Sequence, residues 1–315
     1  FKEKNHLIMT RNKKYDVVAI GNAMLDVLCE VPELFLDQEG IPKGVMNLVS
    51  RERSSKILKL VKPIKETAGG SAANTISTLA KLGLKTGYIG KIADDQKGRV
   101  FKNDLIHDSI IYKTAFLEKS ASESTGKCIV LITPDKERTM NTYLGATEYL
   151  SDIDIDEELI AFSEWLYLEG YRFDGQESKK AFYKAIEIAK KNKTKIAITL
   201  SDSFCVDRHR SDFIYLLNGS ADLVFCNEDE LKSLYKVENI EAAQNFIADT
   251  ISCVACTCAE KGAYLFDKSS IRRISTNKVS VIDTTGAGDN FAAGFLYGLS
   301  KKFSLERCAA LGNEI

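Results

Sequence analysis

The sequence predicts an α/β protein: a doubly wound, mainly parallel sheet flanked by helices, with a small β lid. Three observations point there. Short apolar runs alternate with amphipathic stretches along most of the 315 residues, the pattern of right-handed strand–helix crossovers. A hairpin-like pair of runs interrupts that alternation near the middle. Glycine-rich polar stretches follow directly on apolar runs, where an open parallel sheet presents its ligand edge.

Taken in order, "YDVVAIGNAMLDVLCEV" opens as a buried strand running through Val17, Val18, Ala19 and Ile20 into Gly21. "SRERSSKILKLV" reads as a helix. "GGSAANTISTLAKLG" is a glycine turn leading into a helix with Ile76, Leu79 and Ala80 on one face, stopped by Gly83. "KTGYIGKI" is the next strand and "DDQKGRVFKNDLIHDS" the next helix. "KCIVLIT" and "RTMNTYL", joined by the turn "PDKE", form the hairpin. Alternation then resumes through "WLYLEG", "SKKAFYKAIEIAKKN", "KIAITLS", "DLVFCN", "EDELKSLY" and "SCVACTC". No fixed-period repeat or low-complexity segment breaks the pattern.

Bulk properties narrow the function. The 44% hydrophobic content supplies a sizeable core, and 43 basic residues against 44 acidic ones leave a formal charge of -1. No basic field invites nucleic acid. No apolar run approaches the roughly 20 residues of a membrane span, and the first residues lack the apolar centre of a secretory signal. A small-molecule substrate in the cytoplasm is the expectation. Met9 reads as a natural start with residues 1–8 an upstream remnant, and residues 1–14 as an extension without structure. Eight cysteines fit free thiols in a reduced compartment better than a disulfide scaffold. Cys253, Cys256 and Cys258 have metal-like spacing, but they lie in a strand-like run whose alternate residues face opposite ways, and no second Cys/His pair follows.

The chemistry concentrates in "DTTGAGD". Gly286 and Gly288 leave the backbone open, so successive N–H groups can point at one anion, and the helix that follows adds its positive end. This suits a phosphoryl group in transfer. Asp289 beside it repels phosphate unless it takes a proton from an attacking hydroxyl; its other reading is a dipole-stabilising helix residue. Nearer the N-terminus, Asn22 and Asp26 follow the first strand, and Gly69, Gly70 and Asn74 open a helix. Amide, carboxylate and glycine amides together can grip vicinal hydroxyls. Singly, Asp26 also reads as a turn carboxylate and Asn74 as helix surface.

The two glycine motifs together resemble the signatures of the ribokinase/PfkB family of carbohydrate and nucleoside kinases. The resemblance runs from Tyr15 to the end of the chain, making 15–315 the kinase domain, with lid segments at about 28–49 and 110–145. It implies transfer of the γ-phosphate of ATP to a primary sugar hydroxyl. Asp289 matches the family's base, and the amides of Gly286, Ala287, Gly288 and Asp289 its anion hole. Asp26, Gly70 and Asn74 match the sugar-gripping positions, with Asn22 and Gly69 beside them. Asn227 and Glu230 of "NEDE" match the element that orients water-bound Mg²⁺ at the phosphates, and Asp283 and Thr285 the surroundings of a monovalent cation, usually K⁺. Thr257, Gly262 and Thr284 fall on the nucleotide side. Arg138, in the lid turn, either reaches the transferring phosphate or is a solvated turn residue.

Within the family, "GNAMLD", "NTYLGA" and "SDSFCVDRHR" are similar to its adenosine-kinase-like bacterial branch. This makes adenosine, converted to AMP, the leading substrate, with an aromatic side chain expected against its base. Ribose, fructose or another free sugar is the alternative, and a non-catalytic sugar- or nucleotide-binding relative the rival class. The intact "GAGD" argues against the binder, and the absent G-x-G-x-x-G after the first strand against a dehydrogenase. A monomer and a homodimer are both compatible with the sequence. In "CVDRHR", Arg208 or Arg210 offers a phosphate contact or the segment is a structural anchor, and a catalytic Cys205–His209 pair is disfavoured because the two face each other only on a helix. The chain stops at "ERCAALGNEI", before a further helical segment usual in the family.

Overall fold

The computed structural model describes residues 12–248, 250–277 and 286–315. In chain order its strands are β1 Tyr15–Ile20, β2 Met24–Glu30, β3 Met46–Leu48, β4 Lys65–Gly69, β5 Thr86–Ile89, β6 Ile111–Tyr112 and β7 Gly126–Ile132. There follow β8 Arg138–Tyr143, β9 Ser163–Glu169, β10 Lys195–Thr199, β11 Leu223–Asn227, β12 Cys253–Thr257, β13 Ala263–Phe266 and β14 Ile271–Ile274.

Nine strands make the main sheet in the order β14-β13-β12-β11-β10-β9-β1-β5-β6. The seven strands from β12 to β6 are parallel, and β13 and β14 are antiparallel additions at one edge. Strand alternation sends side chains to two separate cores. Val18, Ile20, Leu166, Leu168, Ile198 and Val224 pack under one set of helices. Val17, Ala19, Tyr167, Phe225 and Ala255 pack under the other, against Ile76, Phe291 and Phe295. Helices start where polar side chains take the free N–H groups: the Ser50 hydroxyl accepts from Arg53 N at 3.2 Å and Asp95 Oδ1 from Gly98 N at 2.7 Å. No helix among the described residues is long and apolar enough to cross a membrane.

A second sheet, in the order β3-β8-β7-β2-β4, lies over the carboxyl edge of the first. Its outer face is covered by helices Glu33–Glu39 and Arg51–Leu60, through Leu36 and Ile57 against Val27, Cys29, Ile129 and Leu131. Its bounds differ from the expected 28–49 and 110–145. The sheet takes in Met24–Glu30 and Lys65–Gly69, whereas Ile111–Tyr112 pairs with β5 in the main sheet. Lys65–Gly69 carries no apolar pattern of its own and is a strand because β2 supplies its hydrogen-bond partners. The expected extension 1–14 also ends early. Lys13 Nζ donates to Ala161 O, Asn192 O and Thr194 Oγ1, so the chain is already anchored there; residues 1–11 lie outside the described residues.

Candidate active site

Strand β1 sits between β5 and β9, so the chain winds away from it in both directions. At such a switch point the carboxyl ends part and leave a crevice. Here the crevice, roofed by the second sheet, is a cavity of about 770 Å³. It brings together Asn22, Asp26, Gly70, Asn74, Arg138, Asn227, Glu230, Thr257 and the Gly286–Asp289 turn. Gly69 and Gly262 adjoin it without lining it. Asp283, Thr284 and Thr285 lie outside the described residues.

Two helix starts converge on Asp289. Ser71 Oγ donates to its Oδ1 at 2.6 Å and Asn74 Nδ2 to its Oδ2 at 2.9 Å, while Thr75 Oγ1 donates to its backbone oxygen at 3.2 Å. Burial pushes the Asp289 carboxyl above its ordinary range, against the two donated hydrogen bonds. Gly286 caps helix Ala287–Ser300 in the left-handed conformation, φ 71°. First-turn N–H groups have no acceptor within their own helix, and Ala287 and Gly288 are exposed to the cavity. The result is a helix end whose N–H groups are free to receive an anion, with a carboxylate at its mouth.

Asp26 is not on a turn after the first strand, as the sequence suggested. Three residues after β1 the chain enters β2, where Asp26 pairs with Thr67 and Cys128 and projects into the cavity from the roof. Its carboxyl is pushed up to about 7 by burial first and by the Asp289 charge second, against the Arg138 guanidinium. Gly69 makes room for it: a Cβ there would lie 2.2 Å from Asp26 Cγ. Gly70 holds φ 100°, and its Cβ would meet Asn22 O at 2.0 Å. Arg138 likewise is the first residue of β8 rather than part of the exposed turn. Asn74, expected on the sugar, lines the cavity and donates one amide N–H to Asp289.

Asn227 and Glu230 form a reciprocal helix cap. Glu230 N donates to Asn227 Oδ1 at 2.8 Å, and Asn227 N and Nδ2 donate to the two Glu230 oxygens at 3.1 and 2.8 Å. Burial pushes the Glu230 carboxyl to about 8. A buried acid this reluctant to ionise gains from a nearby cation. Among the described residues no cluster of three metal-ligating side chains exists. The pair fits Mg²⁺ that keeps its waters and phosphate oxygens. Thr257 ends β12 with its hydroxyl 3.4 Å from Cys226 O, and Gly262 serves a tight turn, φ 88°.

Sequence reasoning missed Ser71, Thr147, Glu169 and Arg172. Glu169, buried at the end of β9, accepts from Asn22 N at 3.3 Å and Ala72 N at 2.9 Å, and burial raises its carboxyl to about 7. An acid ending an apolar run just before Gly170 was the available signal. Conversely, Cys205–Arg210 contributes nothing to the cavity lining. This segment is helical; Cys205 Sγ faces Gly170 O at 3.5 Å and Arg210 Nε donates to Ser233 O at 2.9 Å, so both anchor helices. Cys253, Cys256 and Cys258 are buried free thiols.

Asp26, Glu169 and Glu230 bind their protons more tightly in the folded chain than in the unfolded one. Folding therefore takes up protons between the ordinary carboxylate range near pH 4 and about pH 8, and stability falls as pH rises through that window. Calorimetry of the ligand-free protein is expected to give a Tm that declines from pH 5 to pH 8. A Tm rising over that range contradicts this account.

A doubly wound sheet, a roofed carboxyl-edge crevice and a helix end open to an anion beside a carboxylate are the setting of a small-molecule phosphotransferase. The chain belongs to the pfkB family of carbohydrate kinases, whose pattern matches residues 43–315. It is an ATP-dependent sugar kinase, of a family that generally works with Mg²⁺. Among curated relatives, 5-dehydro-2-deoxygluconokinase of Bacillus licheniformis is 27% identical, the match covering 96% of this chain and 88% of the relative. The Bacillus subtilis protein of that name is also 27% identical, with the same coverages. Among solved structures, adenosine kinase from Sinorhizobium meliloti is 39% identical with a TM-score of 0.91, covering 95% of this chain and 92% of that one. A probable sugar kinase from Rhizobium etli is 38% identical, TM-score 0.91, covering 95% and 91%.

Proposed function

We propose that the protein transfers the γ-phosphate of ATP to the primary hydroxyl of a ribose-containing nucleoside, with adenosine, converted to AMP, as first choice. The observation that carries this choice is the chamber beside Asp26. Met24, Met46, Leu48, Val130, Met140 and Leu144 give the roof strands an apolar surface varied by Asp26, Arg138 and Thr142, while the roof turn adds Asp135, Lys136 and Glu137 to the cavity lining. A free sugar, hydroxylated all round, leaves that surface unmatched. A nucleoside presents a polar ribose to Asp26 and a flat, weakly polar base to the methionines, whose flexible thioethers pack on ring faces. No aromatic side chain lines the cavity from the roof strands; Tyr171, Phe225 and Phe291 line it from below. The methionines take the part expected of an aromatic partner.

In this reading Asp26, Asn22, Gly70 and Asn74 hold the ribose so that its primary hydroxyl faces Asp289. Asp289, with a raised affinity for protons, receives the hydroxyl proton as the oxygen attacks. The amides of Gly286, Ala287, Gly288 and Asp289 receive the developing negative charge on the transferring group. Arg138 approaches that group from the roof. Mg²⁺, oriented through water by Asn227 and Glu230, supplies charge neutralisation at the phosphates when bound. Thr257 and Thr284 belong to the nucleotide side, with Gly262 shaping the turn beside it, and K⁺ would sit by Asp283 and Thr285. Closure of the roof excludes water as a competing acceptor. The covered outer face of the second sheet favours a monomer over pairing through that face.

The test is ADP release from MgATP with K⁺ across adenosine, other nucleosides, ribose, fructose and 5-dehydro-2-deoxygluconate. Adenosine is expected to give the highest kcat/KM. A higher value for a free sugar or the sugar acid overturns the substrate and leaves the reaction class standing.

A further inference from the structure

Beneath the acceptor end of the cavity, Asn22 is held by buried side chains to which the proposed chemistry gives no task. Arg172 is only 3% exposed. Its Nη1 donates to Asn22 Oδ1 at 2.7 Å and to Thr147 Oγ1 at 3.3 Å, and its Nη2 donates to the Ser178 hydroxyl. Asn22 is equally buried and lines the cavity.

A guanidinium has donors and no acceptor. Only the oxygen of the Asn22 amide can face it, so Arg172 decides which way that amide points. Thr147 reinforces the choice. Its hydroxyl accepts from Ala23 N at 3.3 Å and sends its own proton to Asn22 Oδ1 at 3.2 Å. With the oxygen occupied twice, Nδ2 is left, and no described residue accepts from it. Asn22 thus meets the cavity as a donor with no accepting capacity. An unrestrained asparagine would offer either end.

We propose that Arg172 is a positioning residue: it fixes Asn22 as a donor-only contact to one oxygen of the acceptor, and so sets acceptor affinity. The inference rests on the reading that this end of the cavity holds the acceptor sugar. Arg172 itself touches neither substrate nor the transferring group.

The test uses the full chain and whichever acceptor the wild-type enzyme turns over best, with analogues of it lacking one oxygen at a time. For adenosine these are the 2′-deoxy, 3′-deoxy and carbocyclic compounds. Arg172→Met is expected to raise acceptor KM about tenfold, with kcat and the KM for ATP nearly unchanged. The increase should vanish for the one analogue that lacks the contacted oxygen. Arg172→Lys, which keeps a donor, should recover part of the affinity. Thr147→Val, a smaller change that guards against misfolding of the arginine variant, should raise KM about threefold with the same analogue pattern. A loss equal across all analogues, a fall in kcat at constant KM, or a Thr147→Val enzyme indifferent to the analogue overturns the proposal. If the wild-type enzyme prefers a free sugar, the nucleoside reading fails by itself, and the same series on that sugar's deoxy derivatives still decides the role of Arg172.

Discussion

Asp289→Asn is expected to lower kcat by about three orders of magnitude while leaving the protein folded and at least as stable. The first half follows from position. Asp289 stands at the opening of the Gly286–Asp289 turn, where in the proposed reaction an acceptor hydroxyl gives up its proton next to the phosphate, and an amide cannot take it. The second half follows from its surroundings. Burial raises the proton affinity of Asp289 in the folded chain, so placing a negative charge there opposes folding, and a neutral amide does not weaken the fold on that account. The hydrogen bonds also survive. Asn74 Nδ2 can still donate to an amide oxygen, and the Ser71 hydroxyl can rotate to accept from the new amide nitrogen. Steady-state kinetics and a thermal scan of the same preparation check both halves. A variant with ordinary kcat removes Asp289 from the mechanism. One that has lost Tm shows instead that the carboxylate holds the two helix starts together.

Asp26→Ala is expected to cut kcat/KM for the acceptor about a hundredfold, chiefly through KM, with the KM for ATP nearly unchanged. In the proposed pose Asp26 meets the acceptor from the roof, and paired hydrogen bonds from vicinal hydroxyls to a carboxylate are stronger than neutral ones. The fold has already accommodated it: Gly69 leaves the space that its carboxyl occupies. An equal loss for acceptor and ATP would mean that the alanine disturbs the roof as a whole. No loss would place the sugar elsewhere in the cavity.

The main sheet was legible because its strands are buried on both faces and read as short continuous apolar runs between helical patterns. The two glycine motifs were legible for a different reason: they place unobstructed backbone where helices begin. Contacts across space were not legible. Asn74 and Asp289 meet through two helices distant in sequence, so the bond between them leaves no local trace. Lys65–Gly69 is a strand by pairing alone, and that hid the true extent of the roof. Glu169 and Arg172 lie in "YLEGYRFDG", which reads as a core strand and its turn. Their charges are tolerated there because backbone amides and side chains satisfy them, a condition that appears only once β1, β9 and the Thr147 segment are assembled.

The most direct test of the central claim is identification of the product. Wild-type protein and the Asp289→Asn variant would each be incubated with MgATP, K⁺ and adenosine, and the phosphorylated product resolved by phosphorus NMR. The account predicts AMP, esterified at the primary 5′ hydroxyl, from the wild type and none from the variant. Absence of AMP from the wild type, with a phosphorylated product appearing when 5-dehydro-2-deoxygluconate replaces adenosine, would contradict it.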